Sequence, residues 1–388
     1  MAEYVEASTE RTLEHLEHLI HIELLSEEEA KSVLKTRQNH EYRLARHKKQ
    51  MKDYVAYIQY EITFLDMIKL RRQKSRNFAK PQLDFEQVNR IHSLFRTATN
   101  RFQTEVALWL SHIEFAKKHK MYTYAGRLYK RMLQIHAHRA DLWLEAANWE
   151  VQLKQPDTAR KLFLTGIRFN KKDRGLWLGY QRFELLQCLE ARKKREEMEK
   201  KAAETEADDS AEKKPAEFEY PEAVVDGRLV ALTFQKASQD FASDDRFIAQ
   251  LLDVWHELCD AKLAEERVDG LFDKLSLSEH HPILVACWCK KPLIGAVDDI
   301  GQLEVCLDNF DDKIKTQMKK DSEFLAQYIQ FLLKAIKTKH FKDRKSHLVG
   351  KLGQILEVAF VEKISLEEKC LSESVNIFMA AFIILFFY

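Results

Sequence analysis

Three tryptophans, Trp109, Trp143 and Trp177, stand at equal intervals along this chain. The same interval links Phe95, Tyr129 and Phe163, links Leu94, Leu128 and Leu162, and links Ala125 to Ala159. Several independent positions sharing one period mark a tandem repeat, and a unit of about 34 residues holds two short helices and their turns. A lone helix pair cannot bury both of its apolar faces, so such units stack on one another into an array.

Within each unit the large residues fall on one helical face. After Trp143 come Ala146, Trp149 and Glu150, and after Trp177 come Tyr180, Phe183 and Glu184. Offsets of three, six and seven are those of neighbours along a helix. The copy at Trp109 continues with His112 and Phe115 but has Ala116 where the acid belongs. An earlier copy reads Tyr54, Tyr57, Tyr60, Glu61. It precedes Trp109 by well over one period, so this first repeat carries an insertion at about 66–88. A second helix follows in each unit, with Ala125 and Tyr129 in one copy and Ala159 and Phe163 in the next. The small Ala lets two helix backbones approach. Pro156 and Asp157 signal the start of that helix in the later copy. Ser26 followed by Glu29 has the pattern of a capping box.

The expected fold is therefore an all-α solenoid of antiparallel helix hairpins. Residues 1–50 form an N-terminal helical segment and residues 51–189 the repeats. A charged linker spans 190–220, degenerate helical repeats 221–370, and an atypical apolar tail 371–388. Near the end the offsets return as Leu325, Tyr328, Phe331 and Leu332. The charge-free run from Ile377 is short of the roughly 20 apolar residues a membrane-spanning helix needs. It also stands where a solenoid ordinarily has a polar capping helix, which points to a truncated or alternatively ended form of a longer protein.

The usual catalytic sequence signatures are missing. With 10 Gly and 6 Pro in 388 residues, the chain is poor in the turns and phosphate loops of a Rossmann or barrel enzyme. It has no P-loop, no dinucleotide fingerprint and no nucleophile elbow. His15, His18 and His21 recur at every third position without a clear further ligand, and the six cysteines form no zinc pattern. No enzyme activity, metal, cofactor or small-molecule substrate is expected. The aromatic stripes read as core.

Charge is the remaining lead. The chain is nearly neutral, with 62 basic and 61 acidic side chains, but residues 1–189 hold 33 basic and 23 acidic, and the remainder 29 and 38. Three basic clusters are candidate contacts to RNA or an acidic partner. The first is Arg43, Arg46, Lys48 and Lys49. The second is Arg71, Arg72, Lys74 and Arg76, expected to lie in the insertion and outside the packed face. The third is Lys171, Lys172 and Arg174.

A hairpin of this period with Trp, aromatics at three and six, and Glu at seven resembles the HAT (half-a-TPR) repeat family. Ordinary TPR units share the period but favour a Leu-Gly that is absent here. The segments His40-Glu41-Tyr42-Arg43-Leu44, Asp53-Tyr54 and Tyr57-Ile58-Gln59-Tyr60-Glu61 resemble the U3-associated branch of that family, which works in the small-subunit processome. The resemblance implies a nucleolar, nuclear scaffold for small-subunit (18S) ribosomal RNA maturation. It implies partners among WD40 β-propeller proteins, pre-ribosomal RNA and U3 small nucleolar RNA, and no membrane. The alternative within the same family is a HAT scaffold of the spliceosome or of mRNA 3′-end processing.

Overall fold

The helical hairpin array read from the repeat period is what the chain forms. The computed structural model describes residues 2–75, 82–206, 220–274, 282–296, 299–318, 321–362 and 372. Among them are seventeen α-helices and no strand. In chain order these are α1 (Ala2–His21), α2 (Glu27–Ala45), α3 (Met51–Ser75), α4 (Gln82–Arg101), α5 (Val106–Lys118), α6 (Tyr122–Ile135), α7 (Ala140–Gln152), α8 (Pro156–Phe169) and α9 (Arg174–Glu206). They continue as α10 (Glu222–Val225), α11 (Arg228–Asp240), α12 (Asp245–Leu258), α13 (Ala261–Lys274), α14 (Pro282–Lys290), α15 (Ile300–Lys313), α16 (Ser322–Lys337) and α17 (Lys345–Val361). None of the described helices is long and apolar enough to cross a membrane.

Two compact units divide the chain, residues 1–142 and 143–388. In the first, α1 pairs with α2, α3 with α4 and α5 with α6, and α2 packs on α3 as α4 does on α5. The core here holds Leu16, Leu19, Phe64 and Ile68 at one end and Tyr54, Ile91, Phe95 and Phe115 at the other. In the second unit α9 packs on α8, α11 and α12, and the stack runs on from α12 to α14, α16 and α17. Phe310, Phe324, Tyr328 and Leu332 fill its later core.

Local chemistry sets the helix ends. Ser26 and Glu29 close the expected capping box at α2: Ser26 Oγ accepts from the Glu29 amide at 3.2 Å, and Glu29 Oε2 accepts from the Ser26 amide at 3.1 Å. Asp244, Asp299 and Asp321 cap α12, α15 and α16 in the same sense. Pro156 opens α8, where its missing N–H costs nothing. Glu23, Lys120 and Lys154 each stand just past the end of a first helix, with φ of 58°, 57° and 56°. The hairpin turn thus uses the left-handed helix stop, and at all three positions without glycine.

Two expectations need revision. Among the described residues of the first repeat's extra stretch, 66–75 and 82–88, none forms a free insertion. They lengthen its helices, α3 and α4 having 25 and 20 residues against 13 and 14 for α5 and α6. Arg71 and Arg72 consequently stand on the last turns of α3 and are held by the fold. The first part of the charged stretch 190–220, expected to prolong a helix into solvent, does prolong one but packs at its start: α9 continues to Glu206, with Ala191 buried and Arg192 bound to the Val225 carbonyl and to Glu266. Residues 207–219 and, apart from Ser372, the tail 371–388 lie outside the described residues.

Candidate protein and nucleic-acid interface

The signature residues build the joints between hairpins. Trp109, Trp143 and Trp177 are buried at the start of their helices. The Trp109 indole N–H donates to the Gln103 carbonyl at 3.0 Å and that of Trp177 to the Lys171 carbonyl at 3.2 Å. Each ring therefore fills the core and ties down the loop entering its own helix. Trp143 packs on Gly166, where an added Cβ would lie 2.9 Å from the Trp Cβ and Cγ.

The ring at the third offset stacks on a ring from the preceding helix. His40 lies on Tyr57 with centroids 4.9 Å apart, Phe95 on His112 at 4.8 Å, and Phe163 on Tyr180 at 5.6 Å. Phe310 and Tyr328 repeat this at 4.2 Å, with the register moved by one position. Phe183, Phe115, Tyr54, Tyr129, Ala125 and Ala159 are buried as well, while Tyr60 and Trp149 are half-buried.

In two copies the Glu at the seventh offset has an Arg partner on the preceding helix. Arg37 donates from Nε to Glu61 Oε1 at 2.9 Å and from Nη2 to Oε2 at 2.8 Å. Arg160 holds Glu184 in the same two-pronged way, at 2.6 and 3.0 Å. The first pair sits in a larger buried network. Gln87 donates to Glu61 at 2.6 Å, Arg90 donates to the Tyr57 hydroxyl at 2.7 Å, and Tyr57 donates to Glu41 at 3.0 Å. Burial by itself raises the Glu61 carboxyl, but the charges of Arg37 and Arg90 and the hydrogen bonds from Arg37 and Gln87 outweigh it and hold the group below its ordinary value. Burial raises the Tyr57 hydroxyl. Glu150, the third acid of this phase, is also buried.

The remaining copy solves the same joint differently. Ala116 replaces the acid, and His92 stands on the preceding helix in the place that Arg37 and Arg160 take in theirs. His92 Nδ1 instead meets His112 Nε2 at 3.1 Å, and His92 Nε2 meets Met121 Sδ at 3.1 Å. The network assigns the tautomers. If His112 Nε2–H donates to His92, then His92 Nε2–H points at the sulfur. The reverse would bury a His112 Nδ1–H without an acceptor and oppose two lone pairs. Burial pushes His92 down to about 4 and His112 to about 3, with the neighbouring charges of His119, His92 and Arg96 acting in the same direction.

Of the basic clusters, the second is largely committed inside the fold. Arg71 binds the Leu24 carbonyl at 2.9 Å and Glu29 at 2.6 Å, and Arg72, buried, binds Asp84 at 3.0 Å. Lys74 is exposed, and Arg76 lies outside the described residues. In the third cluster Arg174 pairs with Asp244 at 2.5 Å, while Lys171 and Lys172 are exposed. In the first cluster Lys49 donates to the Leu44 carbonyl and fastens the turn, while Arg43, Arg46 and Lys48 are exposed. Sequence reasoning missed the buried charge pairs. Arg37 and Arg160 stand at the same separation from their acids, so counting back from Glu61 and Glu184 finds both, while the same step from Glu150 meets Gly126.

Residues 9–96, on α1 to α4, match the family described as U3 small nucleolar RNA-associated protein 6. The chain is 31% identical over 265 residues to the U3 small nucleolar RNA-associated protein 6 homologs of Mus musculus and of Homo sapiens, covering 66% of this chain and 43% of each relative. It is 32% identical over 188 residues to U3 small nucleolar RNA-associated protein 6 of Schizosaccharomyces pombe, covering 48% of this chain and 38% of that protein. The chain thus spans less than half the length of these curated relatives. The resemblance to U3-associated proteins read from the sequence thus stands: the chain is similar to the U3 small nucleolar RNA-associated protein 6 family.

Proposed function

We propose that this chain is a non-catalytic scaffold of a U3-associated ribonucleoprotein, acting in small-subunit (18S) ribosomal RNA maturation in the nucleolus. The observation that carries the reading is the alignment over 265 residues with relatives named for association with U3 small nucleolar RNA. The geometry supports it. The buried charged and aromatic groups of α2 to α9 are spent on helix–helix joints, as in a protein that positions others. Helical arrays of this kind offer extended surfaces to peptides and folded domains. WD40 β-propeller proteins are the proposed protein partners, and pre-ribosomal RNA and U3 RNA belong to the same assembly.

Affinity purification of the tagged chain, followed by RNA sequencing and mass spectrometry, tests this. U3 RNA, ribosomal precursor and β-propeller proteins are the expected companions. Enrichment of spliceosomal RNAs or of mRNA 3′-end factors in their place would replace the reading with the other HAT assemblies.

A further inference from the structure

We propose that the turn joining α2 to α3, with the last turn of α2, is a direct contact for single-stranded RNA, with Tyr42 as a stacking platform and Arg43, Arg46, Lys48 and Lys52 as phosphate contacts. This rests on the ribonucleoprotein reading above and goes further, because a scaffold can belong to such a particle without touching RNA.

The surface gathers cations that no acid of its own segment compensates. Several other cations of residues 1–142 have an acid beside them: Arg37 has Glu61, Arg71 has Glu29 and Arg72 has Asp84 within the fold, and Lys118 has Asp66 and Arg139 has Asp141 at the surface. Across 42–52 five cationic side chains occur with no acid among them. Four of the five, Arg43, Arg46, Lys48 and Lys52, are exposed and form no ion pair among the described residues. The neighbouring acids are unavailable, since Glu41 receives the Tyr57 hydroxyl and Asp53 is buried. The fifth cation, Lys49, bonds the Leu44 carbonyl and so fixes the course of the turn that carries the others. The amino end of α3 follows at once and adds its positive dipole to the same field.

The second observation selects the partner. Tyr42, immediately before Arg43 in the chain, is 54% exposed, and Met51 and Val55 are exposed on the first turns of α3. An acidic peptide would use the charges and leave the ring idle, whereas a single strand offers phosphates to the guanidinium groups and a base to the ring. A duplex hides its base faces and cannot use the ring.

The test uses the full chain and a fluorescent oligouridylate of about 12 nucleotides, within the usual site size for such surfaces. Anisotropy is read from about 50 to 200 mM salt, the range over which phosphate contacts are lost. Salt-dependent binding by the unaltered chain is expected. The triple variant R43Q/R46Q/K48Q should bind at least about tenfold more weakly, with a log–log salt slope shallower by about 2, since each lost phosphate contact on a single strand removes about 0.7. Tyr42→Ala should weaken binding by about 5- to 100-fold with the slope unchanged, because a lost stack releases no counterions. K171Q/K172Q, at another exposed turn, should bind as the unaltered chain does. All four residues changed at the α2–α3 turn are exposed, so circular dichroism and the melting temperature should not move.

Three results would overturn the proposal: no salt-dependent binding by the unaltered chain, equal binding by the triple variant, or loss of a polyglutamate peptide instead of RNA from that variant. The purification experiment separates the two readings. Should the triple variant keep U3 RNA in its assembly and also bind oligouridylate as the unaltered chain does, the scaffold stands and the direct contact falls.

Discussion

The two Arg–Glu clamps are alike in bonding and unlike in burial, and that difference fixes what removing the acid should do. In the first, the Arg37 and Glu61 side chains are 2% and 0% exposed. Glu61→Ala leaves a guanidinium that cannot reach water, with the Gln87 amide oxygen its remaining acceptor in the network, and takes away the acid 3.6 Å from Arg90. Breaking a buried pair from one side costs about 3–5 kcal/mol. In the second, the Arg160 side chain is 21% exposed and retains Asp157 at 3.3 Å one turn away. Glu184→Ala therefore removes hydrogen bonds to a charged group that can turn outward, at about 1.5–3 kcal/mol. The chain has two units, so a single melting curve mixes transitions, and native-state hydrogen exchange is the appropriate assay. Peptides from α2 to α4 should lose more protection in Glu61→Ala than peptides from α8 and α9 lose in Glu184→Ala. Arg37→Met added to Glu61→Ala should restore part of the loss, because no charge is then stranded. An equal or larger effect at Glu184 would refute the burial argument.

Trp143→Ala should cost about 3–5 kcal/mol in the opening of α7 and α8, and Gly166→Ala, whose Cβ meets that ring, about 1–3 kcal/mol; exchange unchanged in both would sink the joint described for Trp143. The His92–His112 joint is held by neutral rings whose folded values of about 4 and 3 lie below the ordinary 6.5. Between pH 6.5 and about 4 the unfolded chain binds more protons, so this stability is complete above 6.5 and falls with pH by up to about 1.4 kcal/mol per unit for each ring. Arg96 acts on His112 and His119 on His92; burial holds His119 itself down to about 4, with Lys69 and Lys118 lowering it further and Asp66 opposing them. Exchange in α4 and α5 should therefore quicken from pH 7 to 5, after correction for intrinsic rates, and H92Q/H112Q should blunt that change; an unaltered pH response in the double variant would argue against it. Lys154→Gly should stabilise the α7–α8 turn by up to about 1 kcal/mol by relieving a left-handed conformation, and a drop in protection there would show that the Lys side chain matters more than the backbone.

The repeat period determined the helical hairpin architecture, because each unit must solve the same local problem with the same residue types. Trp109 and Trp177 show why the signal is strong: each ring both fills a core position and bonds its own loop. The box at Ser26 and Glu29 was legible for a similar reason, as its partners lie within one helical turn. Tertiary structure alone decided the fate of the charges. Arg71 meets a carboxylate on another helix at a separation unrelated to the repeat, so a basic run that reads as free surface proves to be half committed to the fold. The clamp from Arg37 was legible in principle, yet α2 carries Thr36 and His40 where α8 carries Ala159 and Phe163, and its apolar pattern no longer announces the repeat. Stacking accepts His40 in place of Phe because the contact needs a flat ring and not an apolar one. Periodicity records what every unit must repeat; long-range charge pairing is settled once, by which side chains the packed helices bring within reach.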